Sequence, residues 1–181
     1  MADAAYAGHD RRCRALQAAV AQAGRVGLGK STSNLFRDRS AVAGRRLDVR
    51  DFDHVLAVDS AAGWVDAEGM VPYDALVDAC LAAGVMPAVV PQLKSITIGG
   101  AVAGVGIEAT SFRHGLVHET VLELEVLTGA GEIVTARRPP SGGSTCARST
   151  TCSLSMRARA GSTPRAWCRT TRSPTPAWRP A

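Results

Sequence analysis

Lys94-Ser-Ile-Thr-Ile-Gly-Gly-Ala-Val-Ala-Gly-Val-Gly-Ile-Glu-Ala-Thr-Ser-Phe-Arg-His-Gly115 is the stretch that decides how this chain folds. Glycines at 99, 100, 104 and 106 are interleaved with small apolar residues. Glycine lets backbone approach another group closely and reaches positive φ without strain. A series of such positions beside the hydroxyls of Thr97, Thr110 and Ser111 would offer amides and hydroxyls to a diphosphate. The same composition also suits a buried turn in which backbone packs on backbone. Composition leaves both readings open.

The flanking sequence sets the context. Pro72 to Ala83 predicts a helix, with Tyr73, Leu76, Val77, Cys80 and Leu81 on one face, Pro72 at the first helical position and Gly84 as the C-terminal cap. Asp10 to Ala23 predicts another, carrying Leu16, Ala19, Val20 and Ala23 on one face and ended by Gly24. Val26 to Leu28 is a short apolar step before a polar loop, Gly29 to Asn34. Val55 to Val58 and Val85 to Val90 read as buried strands, and Glu68-Gly69 as the turn of a tight hairpin between Trp64–Ala67 and Met70-Val71. After the Gly-rich stretch, Val121 to Leu127 alternates apolar residues with Glu123 and Glu125, turns at Gly129 to Gly131 and returns over Ile133 to Thr135. That pattern predicts an antiparallel hairpin with one wet face. The order, βα units first and antiparallel strands later, gives an α+β chain. A lone hairpin is marginal in water, so the second sheet reads as incomplete at residue 136.

The charge is divided along the chain. Residues 1–136 hold 12 Lys+Arg and all 16 Asp+Glu, a net of −4; residues 137–181 hold nine Arg and no acid, a net of +9. The latter segment lacks Val, Ile, Phe and Tyr, and consists mainly of Arg, Ser, Thr, Pro, Ala and Gly. No 3.6- or 2-residue period stands out against this composition, so it is expected to be a disordered tail. Three readings compete for it: an Arg arm for nucleic acid, a solvated terminus, or a frame-shifted translation of GC-rich DNA, which the abrupt loss of residue types favours. The organisation expected is therefore 1–93, 94–136 and the tail 137–181. Cys13 and Cys80 read as buried small hydrophobes, and the spacing of Cys146, Cys152 and Cys168 does not suit zinc. With no signal peptide and no apolar run long enough to span a bilayer, the expected location is cytoplasmic.

Two motif matches are set aside. Gly24-Arg-Val-Gly-Leu-Gly29-Lys30-Ser31 fits the P-loop pattern, but a helical stretch precedes it and Thr32-Ser33-Asn34 is poor helix material. Gly104-Val-Gly106-Ile-Glu-Ala109 fits the dinucleotide fingerprint, without a clean strand before it or a good helix after it.

Thr97-Ile-Gly-Gly-Ala-Val-Ala-Gly-Val-Gly-Ile-Glu108, followed by Ser111 and His114-Gly115-Leu116, resembles the flavin loop of the vanillyl-alcohol-oxidase/p-cresol-methylhydroxylase (PCMH) type of FAD-binding domain. Within that superfamily it is most similar to the delta-24 sterol reductase branch. Lys30-Ser-Thr-Ser-Asn-Leu-Phe-Arg37 resembles the first loop of that branch, and the Val121–Thr135 hairpin the strand pair after the flavin loop. The resemblance covers roughly residues 10–136.

It implies a PCMH-type FAD-binding fold, with a βα subdomain and an incomplete antiparallel one. FAD would lie along loops 29–35 and 97–111. The residues implied are Lys30, Ser31, Ser33, Asn34, Thr97, Ile98, Gly99, Gly100, Gly104, Gly106, Ile107, Glu108, Thr110 and Ser111, with Ile107 and Ile133 near a ring of the cofactor. The first loop has no histidine for a covalent tether, so FAD is expected to be non-covalent. Hydride transfer through the flavin is the implied reaction. No catalytic residue and no metal site is expected. The substrate domain of the relatives is expected to be missing, and the chain to be a truncated module without turnover. The alternatives are a nucleic-acid-binding module using the Arg tail, which the acidic body disfavours, and a P-loop nucleotide-binding protein.

Overall fold

The computed structural model describes residues 2–23, 26–30, 45–137 and 152–162; for the last segment it gives the backbone and the side chain of Ala158. Helix α1 covers Ala2–Ala21, longer at its N-terminus than the apolar spacing predicts. Its buried stripe runs His9, Cys13, Leu16 and Val20, so the apolar face is continued backwards by a histidine. Strand β1 (Val26–Gly29) pairs in parallel with β2 (Arg45–Asp48).

Strands β3 (Val55–Asp59) and β4 (Trp64–Glu68) form an antiparallel hairpin. Its turn is at 60–63, where Asp59 Oδ1 accepts from the Ala62 amide at 2.8 Å and Gly63 takes φ 71. The chain does turn after Glu68, where the Val71 amide donates to the Glu68 carbonyl at 3.1 Å, but the hairpin expected there does not form, because Met70-Val71 makes no strand back along Trp64–Ala67. The side-chain oxygen of Asp59 and a glycine with positive φ make the stronger turn, and Glu68 ends a strand that runs on towards a helix. Helix α2 (Tyr73–Ala82) follows, with Pro72 as its extended N-cap instead of its first helical residue and Gly84 beyond its end at φ 77. Tyr73, Leu76 and Cys80 are buried as expected, whereas Leu81 is 45% exposed because the buried face is narrower than the sequence pattern. Strand β5 (Val85–Pro87) stops at the proline.

The Gly-rich stretch forms helix α3 (Ile98–Ala103), a loop, and helix α4 (Ser111–His114). A 3-10 turn (Val117–Thr120) leads into β6 (Val121–Leu127), which pairs with β7 (Ile133–Arg137) as the alternation predicts.

One correction concerns the tail. Cys152–Ser162 is strand β8, and it lies between β4 and β6 in a sheet of order β3-β4-β8-β6-β7, with β5 also pairing to β8. The expectation of disorder does not hold for these eleven residues. Cys152, Leu154, Met156, Ala158 and Ala160 alternate with Ser153, Ser155, Arg157 and Arg159, a two-residue period masked by the unusual overall composition. Register places Ala158 opposite Val65, and Arg157 opposite Asp66 on one side and Glu123 on the other. Positions 138–151 and 163–181 lie outside the described residues.

The sheet has a core on each face. Val65 and Ala67 of β4, with Leu124 of β6 and Ala158 of β8, pack with Tyr73, Leu76, Cys80, Ile98, Ala101 and Val117. On the opposite face, Leu127 joins Cys13, Leu16, Val20, Leu47, Val49, Phe52 and Met70. The wet face expected for the β6–β7 hairpin is therefore partly covered, by α1. The α+β class is the one observed.

Candidate functional site

The Gly-rich stretch is held from beneath by the chain between β4 and α2. The Gly99 amide donates to the Gly69 carbonyl at 2.8 Å, the Ile98 amide to Val71 at 2.9 Å, and the Tyr73 amide to Ile96 at 2.9 Å. A Cβ on Gly99 would stand 2.8 Å from the Gly69 carbonyl oxygen, so glycine is required there because backbone packs on backbone. Thr97 caps α3, its hydroxyl accepting from the Gly100 amide at 3.2 Å. Gly104 and Gly106 donate to the carbonyls of Gly100 and Ala101, both at 2.9 Å. A Cβ on Gly106 would come within 3.0 Å of Val117. The buried-turn reading of these glycines thus describes much of the segment: the amides of Ile98, Gly99, Gly100, Gly104 and Gly106 bond within the protein.

The outer half of the stretch is built differently. Val105 holds φ 54, a left-handed conformation that costs a β-branched residue about 1–2 kcal/mol. Val105, Ile107 and Phe112 are 52%, 73% and 86% exposed, apolar side chains presented outward from the loop after α3 and from α4. The loop is nevertheless pinned. Thr110 donates its hydroxyl to the Ala88 carbonyl at 3.0 Å, Glu108 Oε1 accepts from the Gln92 amide at 3.1 Å, and Ser111 Oγ accepts from the Glu108 amide at 3.0 Å. Thr97 and Ser111 each accept one backbone bond, which leaves the hydroxyl proton as the group either can offer.

Lys30 follows β1, on the side of the protein packed against α1, where Val26 touches the second core. Ser31, Ser33 and Asn34 lie outside the described residues. Ile133 also packs on that second core, with Leu127, and is not exposed beside Ile107. The two rejected motifs stay rejected for visible reasons. Strand β1 occupies the middle of the P-loop match, where a phosphate-binding loop would have to be. The fingerprint match at 104–109 follows a helix, not a strand.

A polar cluster beneath the Gly-rich stretch was not foreseen, because its histidines are far apart in sequence. Glu68 is fully buried at the end of β4. Its Oε1 accepts from His9 Nδ1 at 2.7 Å and from Arg12 Nη2 at 2.6 Å, and its Oε2 from the His54 amide at 3.1 Å and His54 Nδ1 at 2.9 Å. His9 Nε2 reaches Glu125 at 3.3 Å, and Cys13 Sγ sits 3.3 Å from the same nitrogen. Burial alone would lower the His9 pKa, but its contacts with Cys13, Glu125 and Glu68 overcome this and hold it near 11. Burial likewise works against the Glu68 carboxylate, yet hydrogen bonds from His9, Arg12 and His54 keep its pKa below the ordinary value. The available signal was His9, placed one turn before Cys13 on the apolar face of α1, where a buried polar group demands a partner. Among the described residues, no group of three or more His, Cys, Asp or Glu could hold a metal ion, and no helix is long and apolar enough to cross a membrane.

Comparison with known proteins joins these observations. Residues 12–137 match the family model described as FAD binding domain. Cytokinin dehydrogenase 7 of Oryza sativa subsp. japonica is 37% identical over 101 residues, covering 56% of this chain and 18% of its own length. Cytokinin dehydrogenase 2 of the same plant is 37% identical over 83 residues, covering 46% of this chain and 15% of its own length. Delta(24)-sterol reductase of Pisum sativum is 28% identical over 92 residues, covering 51% of this chain and 16% of its own length. The chain thus spans less than a fifth of the length of these relatives. The crystal structure of 6-hydroxy-D-nicotine oxidase from Arthrobacter nicotinovorans superposes with TM-score 0.54 and 16% identity, over 66% of this chain and 27% of that one, which shows a shared fold. A family match over 12–137 takes in α1, the Gly-rich stretch and the β6–β7 hairpin together, and the chain belongs to the FAD binding domain family.

Proposed function

We propose that this chain is the FAD-binding part of a flavin-dependent oxidoreductase of the delta-24 sterol reductase type, binding FAD without a covalent bond. The observation that carries the reading is the family match over residues 12–137. The sterol branch is supported by the resemblance of Lys30–Arg37 and Thr97–Leu116, and by the similarity to the pea reductase. A cytokinin dehydrogenase-type enzyme is the second reading, favoured by the higher identities of the rice relatives.

The groups at the site suit such a cofactor. The pinned outer loop offers Val105, Ile107 and Phe112 as exposed apolar surface for a ring system. The hydroxyls of Thr97 and Ser111 and the cation of Lys30 would serve a diphosphate. The inward-bonded residues Ile98, Gly99, Gly100, Gly104 and Gly106 act as shape, fixing the path of the backbone, with Glu108 and Thr110 tying it to the segment after β5. Ser31, Ser33 and Asn34 remain part of the reading through the resemblance of the first loop. FAD, when bound, supplies the hydride chemistry. The protein's part is to bind, orient and exclude water. We assign residues 1–93 and 94–136 to successive FAD-binding segments. Turnover by this chain alone is not expected at less than a fifth of its relatives' length.

The test is an absorbance scan of the purified chain between about 350 and 500 nm, before and after FAD is added and the excess removed. A retained flavin spectrum, released on denaturation, supports non-covalent binding. A chain that retains no flavin from micromolar FAD refutes the proposal.

A further inference from the structure

We propose that Glu68, held by His9, Arg12 and His54, is a positioning residue for the Gly-rich turn at 97–100. Among the described residues it is the largest side chain with under 2% exposure, and it carries a charge. A strand end needs no buried carboxylate to be stable; an apolar side chain would satisfy the core at lower desolvation cost. What the carboxylate provides is a fixed point. His9 and Arg12 reach it from α1, and His54 from the chain before β3.

That point lies next to the carbonyls on which the turn rests. The Glu68 amide donates to His54 at 2.9 Å, the Met70 amide to Phe52 at 2.8 Å, and the Val71 amide to the Glu68 carbonyl at 3.1 Å. Residues 68–71 are thereby locked in place. Gly69 and Val71 then accept the Gly99 and Ile98 amides. These two bonds, 2.8 and 2.9 Å long, join the strand end directly to the first residues of α3 with no side chain between them. A shift of the strand end by a few tenths of an ångström must therefore move the start of α3. The cluster acts from the α1 face of the sheet on a loop packed against the other core. Its consequence for the cofactor rests on the proposed function: if the turn helps hold FAD, Glu68 tunes that affinity without touching FAD.

Amide hydrogen exchange in the full chain, free of ligand, tests the positioning. In Glu68→Gln, the Ile98 and Gly99 amides should exchange about tenfold faster while the paired amides of β6 and β7 keep their rates. Tyr6→Phe is the control. It removes the Tyr6–Asp66 hydrogen bond of 2.9 Å between the same helix and strand, and should leave residues 98 and 99 unchanged. If Glu68→Gln does not fold, Arg12→Gln removes only the guanidinium contacts and should give the same local pattern more weakly. Exchange at 98 and 99 that merely follows β6 and β7 in the folded variant overturns the proposal. FAD titration of the same proteins is read separately. A loss of affinity of about tenfold in Glu68→Gln, absent in Tyr6→Phe, supports the link to the cofactor. Equal affinities sever that link. Failure of the unaltered chain to bind FAD refutes the proposed function, and the exchange data then decide the positioning claim by themselves.

Discussion

Gly99→Ala adds one methyl group where the structure has no room for it. The new Cβ would lie 2.8 Å from the Gly69 carbonyl oxygen and 3.5 Å from its carbon, both backbone atoms that cannot rotate away. Either the first turn of α3 or the strand end has to move. Moving them stretches the Gly99–Gly69 and Ile98–Val71 hydrogen bonds, 2.8 and 2.9 Å in the native chain. Overpacking of this kind costs about 1–3 kcal/mol, and each weakened hydrogen bond up to about 1 kcal/mol. Alanine recovers at most about 1 kcal/mol of helix propensity. The net is a destabilisation of about 2 kcal/mol. In a protein of this size that corresponds to a fall in Tm of about 4–8 °C. Thermal and urea melts followed by circular dichroism measure it, with Gly129→Ala as the control, because a Cβ there meets nothing within 4 Å. The control should stay within about 0.5 kcal/mol of the native chain. A Gly99→Ala variant that melts at or above the native temperature would show that the glycine does not answer to a backbone contact, and the reasoning would fail.

Three further outcomes follow from the same geometry. His9→Gln should destabilise the chain by about 3 kcal/mol, because it leaves the buried Glu68 short of a partner. His9 is raised from 6.5 to about 11, so its contribution is fully present below 6.5 and declines as pH rises towards 11; the lowered Glu68 contributes above its ordinary 4.5 and loses that as pH falls. The stability gap between the two chains should therefore be widest between 4.5 and 6.5 and narrow at alkaline pH, as urea titrations across that range will show. Val105→Asn should raise stability by about 1 kcal/mol, since asparagine tolerates the left-handed backbone that valine resists; an unchanged or lower Tm would contradict this. Deleting residues 138–181 removes β8 from between β4 and β6 and should abolish the cooperative melt, whereas a segment that plays no part in the fold could be removed without effect.

Much of the fold was legible because it depends on local periodicity. Tyr73, Leu76 and Cys80 fix the α2 face, and the β6–β7 hairpin follows from apolar residues alternating with Glu123 and Glu125. The hairpin at 55–68 was misplaced because the turn after Glu68 leads on to α2, whereas the hairpin closes at 60–63 under the Asp59 cap. Strand β8 was missed for a different reason. Its alternation is carried by Cys, Leu, Met and Ala, residues too small or too few to stand out in an Arg/Ser/Thr-rich segment, and its place between β4 and β6 is set by long-range backbone pairing that no local pattern announces.

The sequence by itself determined the α+β class, the family and the segment most specific to it, because glycine spacing and apolar period are written locally in residues 94–115 and 121–135. Only the tertiary structure decided what those glycines do and what supports them. Hydrogen bonding turned the amides of 98–106 inward and left Val105, Ile107 and Phe112 outward. It also brought His9, Arg12, His54 and Glu68 together on one carboxylate. Such a cluster has no sequence period, because it arises where three separate segments cross and a buried charge must find every partner at once.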